Sequence, residues 1–150
     1  MSGSAPNPQT LIQPATLALL GGSPVVVKPA RRSPSSHTFR LKYAAVENLG
    51  KFLGESSVKL MRIIDSNERT AQRRREQGAL SADESDRIVR IARVAQRAVE
   101  AFGDKMQARE WIKRPNRALR GFAPLGLLST DAGATLVTEE LGRIEYGELY

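Results

Sequence analysis

The sequence predicts an all-α protein, and three observations support this fold class. From residue 39 onward, apolar residues recur every three or four positions, which is the spacing of an amphipathic helix. The predicted helices start at Ser, Asn or Asp and stop at Gly, which are residue types that cap helices. No strand pair and no Asn-Gly hairpin turn follows residue 39, so the elements beyond it are expected to be helices.

Residues 1–38 are expected to form a flexible N-terminal arm. They hold six of the eight prolines together with many Ser and Gly residues. Such a composition buries too little apolar surface to offset the conformational entropy lost on ordering. Within the arm, TLIQPATLALLGG is compatible with a short helical turn and PVVVKP with a short extended piece.

Three helices are expected between residues 39 and 78. FRLKYAAVENLGKFLG places alanines and leucines on one stripe and ends at Gly54, and ESSVKLMRIID follows with an apolar face of its own. The third, SNERTAQRRREQG, starts at an N-cap Ser66 or Asn67 and has almost no apolar face. A helix that is polar all round is either unstable alone or has a partner for its charge.

A helix–turn–helix within residues 39–103 explains that polar helix. A buried helix (about 56–65), a tight turn at residues 65–66 and a second helix (about 67–77) would project polar side chains into a DNA major groove. Asn and Gln suit adenine and Arg suits guanine, so the candidate base contacts are Asn67, Arg69, Gln72 and Arg73. The candidate phosphate contacts are Arg74, Arg75, Lys59 and Arg62.

The clearest predicted helix follows Gly78. It begins at a capping box, Ser81 with Glu84 three residues later, and Gly103 ends it. Its apolar face is formed by Ile88, Ile91, Ala92, Ala95, Val99 and Phe102. Arg90, Arg93 and Arg97 lie on the opposite face. They are expected to be solvated unless something acidic docks there.

Residues 104–150 are predicted to form a second, smaller helical domain. DKMQAREWIKR forms a short helix that ends before Pro115, with Trp111 and Ile112 as core anchors, and FAPLGLLS has Pro124 at a first-turn position. In the last helix, TDAGATLVTEELGRIEYG, the residues at helical spacing are Leu136, Val137, Leu141 and Ile144.

Charge reverses along the chain, whose formal net charge is +7. Residues 87–120 carry ten Lys/Arg against three Asp/Glu, whereas the last twenty residues carry five acids against one arginine. A basic middle suggests a polyanionic partner, and an acidic end suggests a different partner.

From about residue 57 to its end, the sequence resembles the antitoxins of the Xre/MbcA/ParS group, the partners of toxins with a RES domain. One block is RTAQRRREQGALSADESDR, which leads into RIARVAQRAVEAFGD, and the other is AREWIKRPNRALRGFAPLGLLSTDAGATLVTEELGRIEYG. In the second block the matching residues are Trp111, Ile112, Pro115, Asn116, Leu119, Gly121, Pro124, Leu128, Thr130, Gly133, Ala134, Val137, Leu141, Arg143, Ile144, Tyr146 and Gly147. The family usually has Leu where Ala71 stands here, so the polar helix is expected to lack one core anchor.

The resemblance implies an antitoxin of a type II toxin–antitoxin system. Its C-terminal domain would bind a toxin that degrades NAD or transfers ADP-ribose, and the complex would repress its own operon. The implied toxin contacts lie at the C-terminal end of the chain: Arg143, Ile144, Glu145, Tyr146, Gly147, Glu148, Leu149 and Tyr150. The charge pattern agrees, because a pocket that accepts a pyrophosphate is commonly electropositive and an acidic tail complements it.

Catalytic functions are disfavoured. The chain has no Cys, a single His (His37, in a Ser/Pro-rich stretch), and none of the GxGxxG, GxxxxGK[ST], HExxH or GxSxG motifs. We therefore expect no catalytic residue, no metal site and no cofactor. The absence of a long apolar run or a basic leader favours the cytoplasm.

Two alternatives stay open beside the antitoxin. One is a plain helix–turn–helix transcriptional regulator without a toxin partner, whose C-terminal helices serve only to dimerise. The other is a basic RNA-binding protein, which is disfavoured because no aromatic residue lies between residues 53 and 101 to stack on bases. A homodimer or a higher assembly is expected, since helix–turn–helix repressors usually read two half-sites.

Overall fold

A computed structural model describes residues 12–22, 25–30, 33–64 and 67–147. In chain order its elements are α1 (Pro14–Leu19), β1 (Val25–Ala30), β2 (Ser33–Leu41), α2 (Tyr43–Leu53), α3 (Ser57–Ile63), α4 (Glu68–Gln77), α5 (Ala82–Phe102), α6 (Lys105–Lys113), a 3-10 turn (Arg117–Leu119), α7 (Pro124–Leu127) and α8 (Asp131–Glu145). The predicted helical class is confirmed, and the predicted helices begin and end within a few residues of the observed ones.

The long helix α5 is the centre of the fold. α1, β2, α6 and α8 all pack against it, and Ile88, Ile91 and Ala92 of its apolar face are fully buried. The capping box at its start is present: Ser81 Oγ accepts from the backbone N–H of Glu84 at 3.2 Å, and Glu84 Oε1 accepts from that of Ser81 at 2.7 Å. The buried residues on both sides of α5 form one continuous core.

The first half of the molecule places α3 between α2 and α4. The hydroxyl of Tyr43 at the start of α2 donates to Ser57 Oγ at 2.9 Å, which ties α2 to the start of α3. The loop after α4 is held to the end of β2, since the N–H of Leu80 donates to the carbonyl of Leu41 at 2.9 Å. The successive helices α3 and α4 therefore sit on a support built by α2, β2 and the start of α5.

In the second half, α6 and α8 pack against α5, and α7 contacts both α6 and α8. Ala108 and Ile112 of α6 are fully buried, as are Val137 and Leu141 of α8. Trp111 is half-buried beside Phe102, with 5.8 Å between the ring centroids. The predicted role of Trp111 and Ile112 as packing residues agrees with these positions.

The N-terminal segment differs from the flexible arm expected for residues 1–38. Residues 12–22 include α1, which packs against α2 and α5. Thr16 within α1 is buried, and so are Ile12 and Leu20 just outside its two ends. Three buried residues are enough to dock a short helix, although the composition of the whole segment is that of a linker. Residues 1–11 lie outside the described part of the chain.

A β-hairpin is the second departure within residues 1–38, and the exception to the helical class. β1 and β2 pair antiparallel, with Val25 opposite Leu41 and Val27 opposite Phe39. The β-branched run Val25–Val27 favours a strand, and the register is irregular next to Pro29, which has no N–H to give to the ladder. The extended piece expected at PVVVKP is therefore one strand of a pair.

Candidate functional site

The helices α3 and α4 form a helix–turn–helix with both N-termini capped. Ser56 Oγ accepts from the N–H of Lys59 at 3.2 Å, and Asn67 Oδ1 accepts from the N–H of Thr70 at 2.8 Å. Gly78 ends α4 in the left-handed conformation, with φ of 74°. The predicted tight turn at residues 65–66 lies outside the described residues.

A single buried residue holds α4 in the core. Ala71 is 2% exposed, so this small side chain packs inward. The opposite face of α4 carries polar side chains, with Arg69, Gln72 and Arg73 exposed to solvent and Arg75 exposed beside them. The structure thus brings most of the predicted base contacts onto one face.

Two predicted DNA contacts already have other partners. The Asn67 side chain is exposed, but its oxygen serves as the N-cap of α4. Arg74 points away from the polar face: its Nε donates to Glu84 Oε1 at 2.7 Å, and its side chain is 19% exposed. Arg74 was predicted to contact phosphate, and the structure instead has it joining α4 to the first turn of α5.

The environment of Glu84 favours the charged form of its carboxyl group. Burial by itself raises the pKa of the Glu84 carboxyl, but hydrogen bonds from the Ser81 backbone and from Arg74 outweigh it, and the net shift is downward. Glu84 is 8% exposed and therefore acts as a buried acceptor shared by a helix cap and a guanidinium.

Two neighbours of Glu84 complete the support of the helix–turn–helix. Ser85 Oγ accepts from the N–H of Leu41 at 2.8 Å and donates to the carbonyl of Ser81 at 2.7 Å. Arg87 Nη1 donates to the carbonyl of Ile64 at 3.0 Å, at the C-terminal end of α3. Residues 84–87, the ESDR at the end of the first matching block, therefore include three positioning residues: Glu84, Ser85 and Arg87.

The predicted phosphate contacts on α3 remain on the surface. Lys59 Nζ lies 3.0 Å from Glu55 Oε1 and Arg62 Nη2 lies 2.7 Å from Glu68 Oε1. The side chains of Lys59 and Arg62 are 54% and 62% exposed. Exposed pairs of this kind are weak, so each cation can leave its carboxylate and bind a phosphate instead.

The arginine face of α5 has an acidic partner within the chain itself. Arg90 pairs with Asp131 at the start of α8 and donates to the carbonyl of Ser129 at 3.2 Å. Arg97 pairs with Glu145 at the end of α8, and this contact raises the pKa of Arg97. α8 is therefore attached to α5 at both ends by arginines and along its length by Val137 and Leu141.

A close backbone approach fixes where α8 begins. Thr130 Oγ1 accepts from the N–H of Gly133 at 3.0 Å. A Cβ on Gly133 would lie 1.8 Å from the carbonyl oxygen of Leu127, so only Gly lets α8 come this close to α7. This contact gives a physical reason for the Thr-x-x-Gly spacing in the second matching block.

The C-terminal end of α8 carries the predicted toxin contacts that the structure describes. Tyr146 is 82% exposed, and Gly147 follows in a left-handed turn with φ of 70°. Ile144 is half-buried, Glu145 pairs with Arg97, and Arg143 Nη1 donates to Glu140 Oε2 at 2.8 Å. Glu148, Leu149 and Tyr150 lie outside the described residues.

Of the apolar residues predicted at helical spacing in α8, Leu136 is 52% exposed. Its neighbour Val137 is buried, because adjacent residues of a helix point about 100° apart. Leu136 is therefore a second apolar side chain on α8 available to a partner.

Within the described residues, no group of His, Asp or Glu side chains has the arrangement of a metal site, and no helix is long and apolar enough to span a membrane.

The geometry defines a two-part helical protein: a helix–turn–helix with a polar recognition helix, joined through α5 to a helical domain with an exposed acidic and aromatic end. Residues 38–93 match the model of the antitoxin Xre-like helix-turn-helix domain. Residues 97–147 match that of the antitoxin Xre/MbcA/ParS C-terminal toxin-binding domain. The chain belongs to the Xre/MbcA/ParS antitoxin family.

Relatives in three bacteria support this assignment, and each bears the name Antitoxin Xre. The protein of Photorhabdus laumondii is 48% identical over 71 residues, which are 47% of this chain and 48% of the relative. The protein of Yersinia enterocolitica is 40% identical over 77 residues, 51% of this chain and 52% of the relative. That of Pseudomonas putida is 37% identical over 68 residues, 45% of this chain and 43% of the relative. This chain spans about half the length of each.

Proposed function

We propose that this chain is an antitoxin that neutralises a toxin by direct binding through the end of α8. The observation that carries the proposal is the exposed Tyr146 at the end of a helix that Arg90 and Arg97 fix to α5. Aromatic side chains held in place before binding contribute most to interface affinity, because little entropy is lost when they dock. The family of the chain and the names of its relatives support the same role, and they argue against an enzyme.

We propose further that the toxin has a RES domain and acts on NAD. The support for this is the resemblance of the second matching block together with charge. Glu145 lies at the exposed end of α8, and the sequence continues with a second acid, Glu148. An acidic segment complements a cleft that binds the pyrophosphate of NAD.

Co-expression with the product of a neighbouring toxin gene tests the neutralisation. Cells that make the toxin alone should stop growing and lose NAD, and the full chain should restore both. A chain that ends at Glu145 keeps the Arg97 ion pair and should fold, but it should restore neither. Met106→Ser is the matched control, because Met106 is an exposed apolar side chain on α6. Full rescue by the shortened chain would refute binding through the end of α8.

We propose that α4 binds operator DNA and that the chain represses its own operon in the cytoplasm as a homodimer or a larger complex. The support is the exposed polar face of α4, with Arg69, Gln72 and Arg73 beside one another. In a titration with the duplex upstream of its gene, Arg69→Gln with Arg73→Gln should weaken binding strongly, and the parent affinity should fall steeply with salt. Lys105→Gln is the control at the far end of α6. A parent protein that binds no DNA, or binds without salt dependence, contradicts this proposal.

A plain transcriptional regulator is the second candidate, favoured by the exposed face of α4 alone. Its signature is operator binding by a chain that neither copurifies with a toxin nor rescues cells from one.

A further inference from the structure

We infer that the DNA-binding surface continues from the helix–turn–helix onto the C-terminal domain, where Lys113, Arg114 and Arg117 contact phosphates. The inference rests on the proposed DNA binding by α4 and extends it to residues in the part of the chain that matches a toxin-binding domain. Three steps across the surface carry it.

The first step runs from α4 to the start of α3. A cleft of about 290 Å³ lies between these helices, and Val58 lines it together with Gln72 and Arg75. Lys59 follows Val58 and is 54% exposed. The side of α4 that carries Gln72 and Arg75 is therefore adjacent to the first turn of α3.

The second step runs from α3 to α6. Glu55 Oε1 lies 3.0 Å from Lys59 Nζ and 3.9 Å from Lys113 Nζ, so one carboxylate stands between a lysine of each domain. Arg109 is close by and donates to the carbonyl of Phe52 at 3.5 Å. Two lysines thus flank one carboxylate and Arg109 adds a third cation at the end of α2, so cations outnumber acids where the two halves meet.

The third step follows the end of α6. Arg114 and Arg117 line one cleft of about 500 Å³, where two cations face a single acid, Glu110. The side chain of Arg114 is 74% exposed, and its Nη2 lies 3.8 Å from Glu110 Oε2. The Arg117 side chain is exposed and makes no hydrogen bond or ion pair with the described residues. These cations are therefore available to an external anion.

The chemistry of this surface fits DNA better than it fits the toxin. Residues 105–120 carry six Lys/Arg against one acid, Glu110, so this surface has a clear excess of positive charge. The end of α8 has the opposite charge, and a toxin cleft complementary to that acidic end repels a basic surface. A row of cations continuous with a recognition helix matches the spaced phosphates of a duplex.

Salt-dependent binding tests the inference. We would titrate the upstream duplex with the full chain and with Lys113→Gln, Arg114→Gln and Arg117→Gln, singly and together, over a range of potassium chloride. Each lost phosphate contact should reduce the slope of log affinity against log salt by about 0.9, which is about an eightfold loss of affinity at 0.1 M salt. The ratio of affinities for the upstream and a scrambled duplex should stay unchanged, because phosphate contacts carry no sequence information. Lys105→Gln should leave the slope unchanged.

The outcomes separate this inference from the function on which it rests. If the parent protein binds no DNA, both the inferred surface and the proposed DNA binding by α4 are refuted. If DNA binding depends on Arg69 and Arg73 but the triple variant keeps the parent's slope of log affinity against log salt, only the inference is refuted. Loss of toxin binding in the triple variant with an unchanged slope assigns the surface to the toxin and also overturns it. Charge-preserving changes, Lys113→Arg with Arg114→Lys and Arg117→Lys, should retain the parent slope and so exclude misfolding as the cause.

Discussion

Removing Arg74 should weaken the junction between α4 and α5, and a double-mutant cycle with Glu84 measures by how much. The variants are Arg74→Met, Glu84→Gln and both together. Arg74 Nε lies 2.7 Å from Glu84 Oε1, and the two side chains are 19% and 10% exposed. Because both are mostly shielded from water, this pair should couple more strongly than an ordinary surface ion pair.

The magnitude follows from this geometry. At an effective dielectric constant of about 20, two unit charges about 4 Å apart attract by about 4 kcal/mol. Desolvation and the ordering of the arginine offset part of this attraction. We expect a coupling free energy of about 1.5–3 kcal/mol at neutral pH. Glu84 keeps its hydrogen bond from the Ser81 N–H when Arg74 is removed, so the full cost of an unpaired buried charge is not reached.

Urea unfolding followed by far-UV circular dichroism provides the free energies, measured at neutral pH and again in acid. The folded pKa of Glu84 is lowered from 4.5, so its charge stabilises the fold above that value and the contribution is lost as the pH falls through the lower folded pKa. The coupling should therefore persist down to about pH 5 and disappear in stronger acid. A coupling below about 0.5 kcal/mol at neutral pH, or one that does not change in acid, refutes this description of the junction.

Three further substitutions test other parts of the structure. Gly133→Ala should destabilise the chain by about 2–3 kcal/mol in urea unfolding, because the new Cβ meets the carbonyl oxygen of Leu127. Gly142→Ala is the control: there is open space around Gly142, so this change should be neutral or stabilise the chain by up to about 1 kcal/mol. Equal effects of the two would contradict the close approach of α8 and α7. Leu136→Ser should change stability by less than about 0.5 kcal/mol while reducing toxin affinity in calorimetry, and a large loss of stability would mean that Leu136 is a core residue after all. Arg87→Met should cost about 1–1.5 kcal/mol, because the carbonyl of Ile64 loses a donor, and should weaken binding of the upstream duplex in a fluorescence-anisotropy titration. Unchanged DNA affinity would show that this contact does not position the helix–turn–helix.

Local signals in the sequence predicted the helices well. The Ser81–Glu84 capping box and the left-handed glycines Gly54, Gly78 and Gly103 lie where the pattern indicated, because caps depend on residues within one turn of the helix end. The exposed positions of Arg69, Gln72 and Arg73 could be predicted for the same reason: α4 has too few apolar residues to be buried.

Contacts between distant residues could not be predicted from these patterns. Periodicity showed that Arg90 and Arg97 lie opposite the apolar face of α5, but not that their acidic partner is α8 of the same chain, 41 and 48 residues further on. Arg74 was assigned to DNA because, with Ala71 as the single apolar anchor, the sequence does not reveal which side of α4 faces α5. The docking of α1 through Ile12 and Leu20 was hidden by the prolines around it.

The central claim is that the end of α8 binds the toxin and that α4 binds DNA. Hydrogen exchange of the full chain, alone and then bound to toxin or to the upstream duplex, tests it most directly. Toxin should slow exchange at residues 144–147 and leave α4 unchanged, and the duplex should slow exchange in α4 and leave the end of α8 unchanged. Protection by toxin that is confined to α4, or absent from the end of α8, would contradict the account.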